Sequence, residues 1–403
     1  MFYGSLISNT GDGIRLAALP LLAARSTTSP VLVSAVTAAQ FLPWVPLAPL
    51  GGALVDRHDR RRMILVTQAW RGGVMLILAG LVAADVIAIW HLCVVAFLIT
   101  AGEILVDPSV VALVPQLVSD EQLDLANARI ASVEIVTNDF AGAPVGATAF
   151  GFAPWLPFLI DAASYIASLV PFRRLPSIGV ERVRHRPRTP AVVRPSLASE
   201  TREGLRFLRE HPVLWPLTGA TMVYYLGAAT GFSLLVLLVL ESAGGPAWSF
   251  GVVLACGAAG AFIGTLVSDR LSRRIGARAT LAIATMVEGC ALAAMAISTT
   301  VPVLAAIWFL GGVPAGVRIP VARSLQQRLT PNHLLGRVNV TSRMFTRGIV
   351  VVGALASGAV AAAIGLRPTF VVGGAVQVVA AVLIARALRT IRVGGDTPVG
   401  GWR

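Results

Sequence analysis

Several ionisable residues of this chain lie inside long apolar stretches, where a charge is expensive to keep. Asp12 and Arg15 stand three residues apart, which on a helix puts them on one face. Glu134 and Asp139, the latter beside Asn138, fall in a second such stretch, and Glu288 lies about halfway along a third. At membrane depth such groups usually face a bundle interior or a watery path. Desolvation makes an unpaired carboxylate a proton carrier near neutral pH. Asp139 and Glu288 have no opposite charge within a helical turn of their own segments. Asp139, Glu288, Asp12 and Glu134 are therefore the candidates for taking up and releasing a proton. Packing competes with proton transfer as the reason for each of them. Arg15 would neutralise Asp12, and Glu103 and Asp107 stand where a structural ion pair with Arg71 is equally natural.

Other chemistry is poorly represented. The five histidines are scattered and the three cysteines (Cys93, Cys256, Cys290) lie far apart in apolar segments, so no metal site is expected. There is no nucleophile–base constellation and no Walker-type sequence, which argues against an enzyme and against any cofactor. Gly257, Gly260 and Gly264 are spaced for close helix packing rather than for a nucleotide. Trp44, Tyr224, Tyr225 and Phe232, with Arg15 and Asn138, are candidate lining for a small-molecule site.

The elements that must position these residues follow from composition. Of 403 residues, 56% are hydrophobic and 13% charged, about half the charged share of a soluble protein. Apolar stretches of about 20 residues recur throughout, each long enough to cross a bilayer as a helix. Twelve spans are expected, at 5–24, 31–54, 63–84, 88–112, 128–150, 154–172, 212–240, 248–268, 279–298, 302–322, 341–364 and 368–387. The fold class is thus all-α and integral to the membrane. A polar, Arg- and Pro-rich stretch, 173–211, divides the chain into halves 1–172 and 212–390. Its end, Glu200–Glu210, reads as a short surface helix, and 391–403 form a tail.

All 33 basic residues are arginine, and the net charge is +13. With the N-terminus in the cytoplasm, 25 arginines fall on the cytoplasmic side, six within spans, and only Arg25 and Arg367 outside. A bias of this size places both termini in the cytoplasm. It also removes nucleic acid as a partner, since the charge faces anionic lipid.

The halves echo each other. Gly51, Asp56 and Arg61 match Gly264, Asp269 and Arg274 at an offset of 213, and Pro108 matches Pro320 at 212. Ser119–Leu123 matches Thr330–Leu334 at 211. Two parallel six-helix repeats place a substrate site near the midplane between them. Gly52-Ala53-Leu54-Val55-Asp56-Arg57 with Arg60-Arg61-Arg62 resembles the loop 2–3 signature of the major facilitator superfamily. More narrowly, the chain resembles the branch of bacterial siderophore exporters and macrolide or multidrug efflux proteins. That resemblance rests on Gly11-Asp12-Gly13, Glu203-Gly204-Leu205-Arg206-Phe207-Leu208 and Leu334-Leu335-Gly336-Arg337-Val338. It implies a gate in which Asp56, with Arg57 and Arg61, docks against the eleventh span, with Arg343 or Arg347 as partner and Asp269 as the repeat's counterpart.

The expected function is proton-coupled efflux of a drug-like or natural-product molecule, such as an antibiotic or siderophore, by a monomer in the cytoplasmic membrane. An importer or uniporter is the alternative on the same fold. A membrane scaffold or sensor is a third reading, although it has little reason to keep intramembrane carboxylates.

Overall fold

The computed structural model of the chain describes residues 2–49, 59–117, 137, 141–174, 197–331 and 333–389. Among them there is no β-strand. The first half contributes α1 (Phe2–Ser26), α2 (Pro30–Pro49), α3 (Arg60–Ala83), α4 (Ile89–Leu117), α5 (Ala143–Phe152) and α6 (Leu156–Arg173). A polar helix, α7 (Leu197–Glu210), precedes α8 (Leu214–Leu237), α9 (Ala247–Ala294), α10 (Val301–Leu329), α11 (Leu335–Ile364) and α12 (Leu366–Ala387). The chain is therefore a multi-pass helical membrane protein. Twelve passes result because α9 is two passes, folded at Gly276.

That fold differs from the expected loop between the eighth and ninth spans. The helix runs on to Ile275 and turns at a single residue, whose φ of 79° and ψ of 154° suit only glycine. Elsewhere proline and polar caps set the boundaries. Asp59 accepts a hydrogen bond from the Arg62 amide at 2.7 Å and so starts α3. Pro30 and Pro302 sit in the first turns of α2 and α10, where a missing N–H costs nothing.

Within the first half α6 packs on α1 and α3, while α4 packs on α3 and α2. In the second half α12 and α11 pack on α8, and α10 on α9. The glycine spacing on α9 has the packing role expected of it. A Cβ on Gly264 would lie 1.9 Å from the Val313 carbonyl oxygen, and one on Gly316 1.9 Å from that of Ala261. Only bare backbone fits this seam between α9 and α10.

The halves meet through α2 with α11 and α5 with the first limb of α9, pairs that the repeat relates to one another. Both contacts lie towards one end of the bundle. Gly358 there abuts Ser34 and the Pro30 carbonyl, and Gly251 abuts Ala143, Pro144 and Ala147.

Candidate functional site

Away from that closed end a cavity of about 940 Å³ separates the halves. It reaches the starts of α1 and α11 (Ser5, Ser8, Leu335, Gly336) and the ends of α4, α6 and α10 (Val110, Phe172, Gln327). This is the end that carries the Arg-rich segments. One wall presents Asp12, Arg15, Arg71 and Glu103, and the facing wall Arg323, Gln326, Asn339, Arg343 and Arg347. Tyr224, Tyr225 and Arg318 line a neighbouring cavity of about 190 Å³ that shares Arg323, Gln326, Asn339 and Arg343 with the first.

Four helices of the first half build one ion cluster. Arg15 Nη2 donates to Asp12 Oδ1 at 3.0 Å and to Glu103 Oε1 at 2.5 Å. Arg71 Nη2, from α3, donates to the same two oxygens at 2.7 and 3.2 Å. The Tyr165 hydroxyl of α6 donates to Asp12 Oδ1 at 2.5 Å, and its ring lies 4.3 Å beneath the Arg71 guanidinium. Gln68 ties Arg71 to Ser168 at 3.2 and 3.3 Å. Behind Arg15, Asp161 of α6 is wholly buried, with its Oδ2 3.6 Å from Arg15 Nε. Small residues let these helices close up: a Cβ on Gly102 would strike the Arg71 side chain at 2.9 Å.

The second half holds a smaller cluster of the same design. Arg318 Nε of α10 donates to Glu288 Oε2 at 3.1 Å, and the Tyr224 hydroxyl donates to the other carboxylate oxygen, Oε1. The Arg318 guanidinium lies 3.8 Å from the centre of the Tyr224 ring and 6.0 Å from that of Tyr225. Each half thus pairs an acid with an arginine across its third and fourth passes and sets a tyrosine ring from another pass against that arginine. The polarity is reversed between them. The third pass carries Arg71 in one half and Glu288 in the other, and the fourth carries Glu103 and Arg318.

The residues singled out in the sequence divide accordingly. Asp12 and Arg15 are paired, and Glu103 does meet Arg71. Glu288 has no counter-charge within a turn of its own helix but receives one from α10, which periodicity within one span cannot reveal. Trp44 lines the large cavity, and Arg347 lies 5.7 Å from its ring and 5.5 Å from that of Phe41. Phe232 is not at the cavity wall; its ring lies tilted by 33° against that of Phe41, centres 6.2 Å apart. Arg343 lines both cavities. Arg61 donates to the Arg173 carbonyl at 2.5 Å, and Asp269 pairs with Arg273 on the exposed face of its own helix at 2.8 Å. Asp56, Arg57, Glu134, Asn138 and Asp139 lie outside the described residues. Asp161, Tyr165 and Arg318 escaped the sequence reading as members of a site. An acid at mid-span was the available signal for Asp161, and the same signal had singled out Asp139.

Two motifs distant in sequence also meet. Arg337 of α11 donates to Glu203 of α7 at 2.5 Å, and Gly204 sits where a Cβ would strike Thr341 Oγ1 at 2.7 Å. Leu208, Leu214, Leu334 and Val338 complete the contact.

A family model described as transmembrane secretion effector matches residues 1–395. The chain is 23% identical over 388 residues to the uncharacterized MFS-type transporter YvqJ of Bacillus subtilis, covering 95% of this chain and 90% of that one. It is 26% identical over 412 residues to the multidrug efflux pump Tap of Mycobacterium tuberculosis, covering 97% and 93%. Its fold is similar to that of a bacterial homologue of the iron transporter ferroportin. The TM-score is 0.73 to the inward-facing structure (19% identical, 96% and 97% covered) and 0.62 to the outward-facing one (20% identical, 96% and 98%). With a match running over nearly its whole length, the chain belongs to the transmembrane secretion effector family of major facilitator transporters.

Proposed function

We propose that the chain exports a drug-like or natural-product small molecule in exchange for protons, by alternating access. The observation that carries this reading is the cavity between the halves, closed at one end, lined by the ion cluster of the first half and adjoining a smaller cavity that Arg318 and Tyr224 of the second half line. Its volume of about 940 Å³ lies at the upper end of the range for small-molecule sites, roughly 300–1,000 Å³. The arginine bias makes the open end cytoplasmic, so both termini face the cytoplasm and the cavity is loaded from inside. The name of one relative, a multidrug efflux pump, supports export as the direction.

In this reading residues 1–172 and 212–390 rock against each other about the cavity, joined by 173–211, with 391–403 as a cytoplasmic tail. One chain suffices. Asp56, Arg57, Arg61 and Asp269 belong to the gate that closes the cytoplasmic end, with Arg343 or Arg347 receiving Asp56. The proton candidates are Asp139, Glu288, Asp12 and Glu134. Arg15, Trp44, Asn138, Tyr224, Tyr225 and Phe232 are the candidate substrate contacts.

The test is transport by purified protein in proteoliposomes, across a panel of antibiotics and siderophores, with and without a pH gradient. A pH gradient should drive at least one compound uphill, with proton flux in the opposite direction. Movement only down the compound's own gradient, indifferent to pH, would mark a uniporter. Symport of compound and proton would mark an importer.

A further inference from the structure

The acids and bases of the first-half cluster do not balance, and the imbalance centres on one residue. Three carboxyl groups, Asp12, Glu103 and Asp161, share two guanidinium groups, Arg15 and Arg71. Asp12 and Glu103 each take hydrogen bonds from both arginines and border the water-accessible cavity. Asp161 is 0% exposed, and neither of its oxygens receives a hydrogen bond. Arg15 Nε stands 3.6 Å away, beyond hydrogen-bond distance and itself without a hydrogen-bond partner. The site is tight on its far side, because a Cβ on Gly11 would lie 2.3 Å from Asp161 Oδ1.

An ionised carboxylate without hydrogen bonds in a dry site costs several kcal/mol. Carrying a proton removes that cost. The charged and titratable groups that act on Asp161 are Asp12 and Arg15 from α1, Arg71 from α3, Glu103 from α4 and Tyr165 from its own helix. The described part of α5 has no ionisable side chain.

We propose that Asp161 is the proton-carrying carboxyl of the first half, with Arg15 as the switch that discharges it. In the present arrangement Arg15 Nη2 is engaged by Glu103 and Asp12, and Asp161 holds its proton. When Arg15 swings the short distance to bond Asp161, the Asp161 O–H bond breaks. The proton passes to Glu103, now relieved of Arg15, or to water in the cavity, and the new carboxylate is compensated by the guanidinium. The reverse movement reloads it. Discharge is thus tied to a side chain that lines the substrate cavity. This inference rests on the proton-exchange reading for its purpose, but its test does not depend on transport.

The test is infrared difference spectroscopy of the purified full-length protein, with no added compound, on raising the pH. Protonated carboxyl groups have a carbonyl stretch that carboxylates lack, so deprotonation erases a band. The band should vanish on alkalinisation in the wild type and be missing from Asp161→Asn, while Asp12→Asn and Glu103→Gln retain it. Isotope-labelled aspartate in the wild-type protein should shift the same band, a readout that needs no variant to fold. A band that persists in folded Asp161→Asn, a band that fails to shift with labelled aspartate, or no band at all would overturn the assignment. Absence of coupled proton flux in vesicles would instead count against the exchange reading and leave the band to be judged by itself.

Discussion

Glu288 and Arg318 show how far a side chain's meaning depends on its neighbours across the bundle. Each is largely buried, and their ion pair repeats that of Arg71 and Glu103 with the charges exchanged. Removing one member of such a pair leaves the other uncompensated, at about 3–5 kcal/mol. Arg318→Gln should therefore lower thermal stability in detergent markedly. The double exchange Glu288→Arg with Arg318→Glu copies the polarity of the first half and should recover most of that loss. If the double variant melts as low as the single one, the polarity is held by Tyr224, which donates to Glu288 and stacks under Arg318. Reading along one helix exposed Glu288 as an unusual acid but could not supply its partner. Charge pairing here runs across helices, between residues 30 apart in one half and 32 in the other.

Helices and their joints carry a second set of constraints. Gly276 turns α9 back on itself in a conformation open to glycine alone, so Gly276→Ala should destabilise the protein by about 1–3 kcal/mol. Gly264→Leu attacks the neighbouring seam, where overpacking costs a similar amount, about 1–3 kcal/mol. Thermal unfolding in detergent would measure both, and a neutral result for Gly276→Ala would mean that the turn relaxes elsewhere.

The joint between α7 and α8 depends on pH. His211 Nδ1 accepts from the amides of Val213 and Leu214 at 3.2 and 3.1 Å, and partial burial holds its pKa below the usual 6.5. The folded form favours the neutral ring, so this stabilisation is complete above about pH 6.5. It is lost as the pH falls through the lower, folded-state value. Protection factors of the amides at the start of α8, taken relative to the intrinsic exchange rate at each pH, should fall on acidification in the wild type. In His211→Asn, whose side chain does not titrate, the protection factors of the same amides should be insensitive to pH.

At the scale of the molecule, Gly358 against Ser34 and Pro30 is part of what closes one end. Gly358→Leu would wedge α11 from α2 and penalise the present state by about 1–3 kcal/mol, a population shift of roughly five- to 150-fold. In a cysteine-free background, a cysteine replacing Gln326 at the opposite mouth should then react more slowly with a bulky thiol reagent. An unchanged rate would mean that the Gly358 contact does not hold the end shut.

Amino-acid order alone determined the membrane class, the twelve passes and the repeat. These depend on local hydropathy, on arginine placement and on motifs that recur at one offset, all of which survive without knowing what touches what. The α9–α10 seam was legible too, because glycines at helical spacing demand a close neighbour whoever that neighbour is. Only the tertiary structure decided which acids matter and to whom they are bound. Asp161 sits in its span much as Asp139 does in its own, and nothing local shows that it lies behind Arg15 with neither oxygen hydrogen-bonded. Glu203 and Arg337, 134 residues apart, are joined in the same way by the packing of α7 on α11. In a bilayer the apolar faces are nearly interchangeable, so hydropathy can place a helix in the membrane but cannot choose its neighbours. That choice falls to glycine contacts and buried charges, and these become specific only when the helices meet.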